Sequence, residues 1–201
     1  MTEAAAAASD AHSHSTPREE KAFGFWLYLM SDAIIFALLF ATYVVMAGNV
    51  ADAPPPHSQF DLTHVFAETM ILLASSITFG FATVAIGTGR RPAVQLWLLV
   101  TFALGLGFVL MELTEFRSMI AAGAGPDQSG ALSAFFTLVG THGLHVSIGL
   151  VWILVMMAQV ALKGLSVPVV SRLERLGLFW HFLDIIWIGI FSVVYLPGLI
   201  E

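Results

Sequence analysis

Residues 131–162, ALSAFFTLVGTHGLHVSIGLVWILVMMAQVAL, contain no Asp, Glu, Lys or Arg and are apolar around the whole helical circumference. A bilayer core of about 30 Å needs about 20 such residues per helix, so this stretch reads as a transmembrane helix. Four further segments are long and predominantly apolar: Phe23 to Met46, His64 to Gly87, Ala93 to Ile120 and Leu173 to Leu196. None alternates as barrel strands do, and a helix leaves no backbone group unpaired in lipid. The fold expected is therefore all-α: an integral membrane bundle of five transmembrane helices over residues 23–201.

Composition agrees. The chain is 58% hydrophobic and 11% charged, against roughly 25% charged residues in an ordinary soluble domain. A water-soluble fold is excluded, and nothing supports nucleic-acid binding. The formal charge of -6 identifies no partner, because several of the acids lie inside apolar stretches. The absence of cysteine excludes disulfides, thiolate metal sites and haem attachment through Cys. Residues 1–22, rich in Ala, Ser and His, lack the apolar run of a signal peptide and read as a disordered tail, with His12 and His14 as solvated tail residues.

Turn residues mark the breaks. Gly48, Asn49 and Pro54 to Pro56 separate the first two helices, Thr88 to Pro92 forms a very short second link, G-A-G-P-D-Q-S-G ends at Gly130, and Gly164 and Pro168 mark the last. The shortest link makes helices two and three antiparallel neighbours. Arg18, Lys21, Arg90, Arg91, Lys163, Arg172 and Arg175 fall on one side and only Arg117 on the other. Positive loops stay inside, so the N-terminus is expected in the cytoplasm and the C-terminus in the periplasm. Arg117 is expected to pair with Glu112 or Glu115 on its own helix.

Eight ionisable residues fall within the spans: Asp32, Glu68, Glu112, Glu115, His142, His145, His181 and Asp184. Each costs several kcal/mol in lipid unless paired or wetted, so they should face protein. Glu112 and Glu115, His142 and His145, and His181 and Asp184 are each three apart, which puts each pair on one side of its helix, poised to bond across helices. An oxygen- and nitrogen-ligated metal site, a proton path, haem ligation and plain interhelical hydrogen bonding all remain open, although no Glu-x-x-His is present. Residue chemistry alone favours the last. Gly105, Gly107, Gly140, Gly143, Ser147 and Gly149 suit close helix packing. Trp26, Tyr28, Trp97, Trp180, Trp187 and Tyr195 read mostly as anchors at the lipid headgroup level, and His57 and His64 as surface histidines.

The strings F-G-F-W-L-Y-L-M-S-D (23–32), E-T-M-I-L-L-A-S-S-I-T-F-G (68–80), G-P-D-Q-S-G-A-L-S-A-F-F (125–136), G-T-H-G-L-H-V (140–146) and W-H-F-L-D-I-I-W (180–187) closely resemble subunit III of the haem-copper oxidases. The likeness runs through all five spans in order. Within that family the chain is most similar to the branch found in bacterial cytochrome bo-type ubiquinol oxidases, with a five-helix cytochrome c oxidase as the alternative. The resemblance implies a proton-pumping complex of the aerobic respiratory chain in the bacterial inner membrane, passing electrons from ubiquinol to oxygen. It implies that haems and copper belong to subunit I and that this chain is an accessory subunit with no redox centre, no metal and no catalytic residue. Its expected partners are subunit I as main contact, subunits II and IV, and membrane lipids, with room for a bound phospholipid or ubiquinone. On that reading the eight polar residues serve packing or a lipid and proton environment. Asp32 matches the family's intramembrane carboxylate, in a position where many cytochrome c oxidase relatives have Glu. A stand-alone proton-coupled transporter and a membrane metalloenzyme are the rivals; no repeated halves or broken-helix pair supports the first.

Overall fold

The computed structural model describes residues 17–48 and 62–196. Five helices cross it: α1 Pro17–Met46, α2 Leu62–Gly87, α3 Arg91–Ala121, α4 Gly130–Lys163 and α5 Val167–Ile190, the last continued by a π-helical turn Phe191–Tyr195. All are long and apolar enough to span a membrane, and no strand occurs among the described residues. His12, His14, His57 and the Pro54–Pro56 run lie outside the described residues.

Local chemistry sets the helix ends. Gly89 and Gly123 take positive φ, where a side chain would strain the backbone, and each hands the chain out of a helix. At the second, the Ala124 amide donates back to the Met119 carbonyl at 2.9 Å, closing the last turn of α3. Ser129 caps α4 by accepting from the Leu132 amide. Two boundaries differ from expectation. Residues 17–22, assigned to the tail, are the first turns of α1, whose polar residues extend the helix beyond the apolar run. α5 begins at Val167, six residues before the expected Leu173, because Pro168 lies in its first turn, where a missing amide costs nothing.

α2, α3, α4 and α5 form a closed ring in which each helix packs on the next and α5 returns to α2; α1 lies outside this ring against α4 and α5. α5 thus packs along α1, α2 and α4 and is the most buried helix, while α1 is the least. Opposite pairings show the helix directions: Thr69 meets Trp187 while Ser75 meets Trp180, so α2 and α5 are antiparallel. The α2–α3 and α4–α5 turns share one end, where a Cβ on Gly164 would run into the Arg91 guanidinium. Arg172 bonds Gln159 at the same end, which we call the basic end.

Glycines set how closely the ring closes. The Trp180 indole lies in a notch made by Gly105 of α3 and Gly149 of α4: a Cβ would stand 2.8 Å from its ring at the first and 3.0 Å at the second. Gly177 gives the same clearance to Phe79, and Gly189 to Phe40. Gly107, expected at a close crossing, has open space instead. Trp26 and Tyr28 stay exposed on α1, but Trp180, Trp187 and Tyr195 do not sit at the surface as anchors: each is about 1% exposed. The two indoles come inward because α2 offers each a hydroxyl, which removes the cost of burying an N–H.

Candidate functional site

The polar interior is built from α2 and α5 outward. Trp187 donates to Thr69 Oγ1 and Trp180 to Ser75 Oγ, both at 3.1 Å, while the two hydroxyls donate on to the carbonyls of Val65 and Leu72. Ser76 Oγ meets His181 Nδ1 at 2.6 Å. Thr78 and Thr101 join α2 to α3, and Gln95 donates to the Met157 carbonyl of α4. None of these hydroxyls was singled out from the sequence. A signal was present: Trp180 and Trp187 are seven apart, and their partners Thr69 and Ser75 are six apart on an antiparallel helix. Replacing Thr69 with Val or Ser75 with Ala is expected to cost about 0.6–1 kcal/mol each, the scale of interhelical hydrogen bonds in membranes. The check is the temperature at which the chain leaves the purified complex; an unmoved midpoint in the double variant would show that the ladder does not hold α2 to α5.

Asp32 and His145 meet between α1 and α4, while His181 and Asp184 form a separate pair on α5 beside Ser76 of α2. Asp32 is 6% exposed, and its Oδ2 lies 3.8 Å from His145 Nε2. His145 Nδ1 is 2.8 Å from the Thr141 carbonyl, which can only accept, so Nδ1 carries hydrogen. Contact with Asp32 is therefore attractive when one more proton lies on the pair, on Nε2 or on the carboxyl. Asp184 Oδ2 lies 3.9 Å from His181 Nδ1 on the same helix. The two histidines of α4 part company: His142 is fully buried, stacked on Trp187 at 5.3 Å and edged by Phe108 and Phe36, with neither ring nitrogen hydrogen-bonded. A three-residue step rotates about 60° short of a full turn, enough to aim one ring at α1 and the other into the aromatic core.

Toward the opposite end, Glu68, Glu112 and Glu115 lie within electrostatic reach of one another and of Tyr195. Glu68 is completely buried, and its Oε1 sits 3.4 Å from Nε2 of His64 one turn earlier. His64 is thus a half-buried partner of Glu68 and not a plain surface histidine. Glu112 does not pair with Arg117 as expected. It turns onto α4, its carboxylate resting over Gly143, while Arg117 projects to the exposed side, and among the described residues Arg117 makes no ion pair. Among the described residues no three His, Asp or Glu side chains converge closely enough to share a metal ion.

Comparison with known proteins gives the same reading over nearly the whole length. Residues 3–199 match the family described as Cytochrome c oxidase subunit III. The cytochrome bo(3) ubiquinol oxidase subunit 3 of Pseudomonas putida is 53% identical over 88% of this chain and 86% of its own. The protein of that name from Buchnera aphidicola subsp. Schizaphis graminum is 45% identical over 92% and 98%. The cytochrome c oxidase subunit 3 of Bacillus subtilis is 42% identical over 90% and 88%. With five membrane helices, four of them closed in a ring around buried polar residues, and this match over residues 3–199, the chain belongs to the cytochrome c oxidase subunit III family, as a multi-pass protein of the bacterial inner membrane.

Proposed function

We propose that this chain is the accessory subunit III of a proton-pumping haem-copper oxidase that takes electrons from ubiquinol and reduces oxygen. The observation that carries the choice of donor is the ranking of relatives: 53% identity to a ubiquinol oxidase subunit against 42% to the Bacillus subtilis cytochrome c oxidase subunit. The haems and copper then reside in subunit I. This chain makes no redox step; it packs on subunit I, with subunits II and IV in the same complex, and supports assembly, lipid retention and sustained turnover. The arrangement of its polar residues favours that role, since Trp180, Trp187 and His181 are engaged with α2 hydroxyls and His145 faces Asp32.

The orientation follows from charge. Arg90, Arg91, Lys163, Arg172 and Arg175 gather at the basic end, which we assign to the cytoplasm together with the N-terminus; the C-terminus is then periplasmic.

Purification through a tag on this chain, followed by haem spectroscopy and oxygen uptake, tests the assignment. Haem-containing complex that consumes oxygen with ubiquinol and not with reduced cytochrome c is the expected result. Uptake driven by cytochrome c alone would move the chain to the cytochrome c branch, and a haem-free chain would end the oxidase reading. Deleting the chain from the complex is expected to leave the initial rate largely intact and to shorten the number of turnovers before inactivation. Immediate loss of all activity in a haem-replete remainder would contradict an accessory role.

A further inference from the structure

The lipid-facing side of α3 and α4 carries a groove of about 220 Å³ lined by Val109, Leu113, Phe116, Gly140 and Leu144, with Glu112, Gly143 and Ser147 as its polar base. Glu112 is 4% exposed, and its Oε2 has no hydrogen-bond partner among the described residues. Gly143 makes this position available: a Cβ there would stand 2.7 Å from Glu112 Oε1 and push the carboxyl out of the groove. Ser147 donates to the Gly143 carbonyl at 2.8 Å, so its oxygen is left able to accept. Glu112 lies nine residues from the end of α3, or about 13 Å along the axis, which places the groove at membrane depth. An unpaired carboxyl oxygen at that depth is costly unless something that hydrogen-bonds reaches it.

We propose that this groove binds the head ring of a lipid-soluble quinol, with a ring hydroxyl donating to Glu112. The idea rests on the quinol-oxidase reading above. Three observations select this occupant. Among the described residues no Lys or Arg lines the groove, so a lipid phosphate would meet a carboxyl with no compensating charge. Its volume is below the roughly 300–1,000 Å³ of a site that encloses a drug-sized ligand, as suits one ring whose tail remains in the bilayer. Phe116 supplies an aromatic wall, and Val109, Leu113 and Leu144 are apolar neighbours for the start of an isoprenoid tail. A carboxylate accepts from the quinol hydroxyl, and a protonated carboxyl donates to the quinone carbonyl, so both redox forms bind. No electron is transferred at this position. The groove keeps substrate beside the complex.

The test uses the assembled oxidase and a photoreactive ubiquinone-ring analogue, with the labelled peptides of this chain mapped by mass spectrometry. Labelling is expected within 109–116 and 140–147, displaced by excess short-chain ubiquinone and not by phosphatidylethanolamine. Gly140→Leu is the blocking variant: a Cβ there meets Phe116 at an ordinary 3.7 Å, and the remaining atoms fill the groove. Glu112→Leu should lower labelling about tenfold or more, the loss of one hydrogen bond to a charged group, and G140L should lower it at least as far by filling the groove, with haem content unchanged in both. Labelling that is absent, that survives both variants, or that phospholipid displaces would overturn the site. If the wild-type complex oxidises ubiquinol without labelling here, the groove alone is refuted; if it oxidises only cytochrome c, the quinol-oxidase reading falls as well.

Discussion

Trp180→Ala is expected to release this chain from the purified oxidase well below the temperature at which the wild-type subunit dissociates. The indole fills the notch between Gly105 of α3 and Gly149 of α4 and donates to Ser75 of α2, so it links α5 to three other helices. Truncating a buried Trp costs about 3–5 kcal/mol when the surroundings cannot collapse. Here they cannot collapse easily, because the walls belong to different helices whose spacing the indole itself sets. Trp180→Phe keeps part of the ring and loses the donor, so its midpoint should fall between the two. Wild-type retention of the alanine variant would mean that the notch is not what holds the ring closed.

The second large effect is expected from adding atoms. Gly177→Val places a Cβ 2.8 Å from the Phe79 ring, and overpacking of this kind costs about 1–3 kcal/mol. Phe79→Ala should be costly alone, about 3–5 kcal/mol, since Phe79 is 2% exposed. In the double variant the valine occupies space the ring has left. The combined loss should therefore be smaller than the sum, by the 0.5–3 kcal/mol typical of residues in contact. Additive losses would show that α2 and α5 have moved apart and no longer share that contact.

The number and order of the helices were legible because apolar length and turn residues act locally and need no partner. The start of α5 was less so. Pro168 and Gly164 read together as a break, yet only Gly164, at positive φ, ends a helix; Pro168 begins one. The candidate site was legible as a set of residues and not as a set of pairs. Asp32 with His145, and His181 with Asp184, do come together, but Glu112 chose α4 over its neighbour Arg117, and His142 chose Trp187 over any charged group. Spacing along one helix fixes which face a side chain leaves from and says nothing of what the next helix presents there. The indoles show this most clearly. Near the end of an apolar run a Trp looks like an interfacial anchor, and only the hydroxyls of a helix more than a hundred residues away make burial favourable.

That distance also bears on how the protein is made. α5 leaves the ribosome after the other four helices, and it is the one on which α1, α2 and α4 all pack. Until it arrives, the hydroxyls of Thr69 and Ser75 have no indole, and the Gly105 and Gly149 notch has nothing to hold. The four earlier helices can be inserted one by one, but the bundle locks only when α5 has joined them. A chain truncated before Val167 would thus be left with an open seam lined by the unused hydroxyls of α2 and the empty notch of α3 and α4.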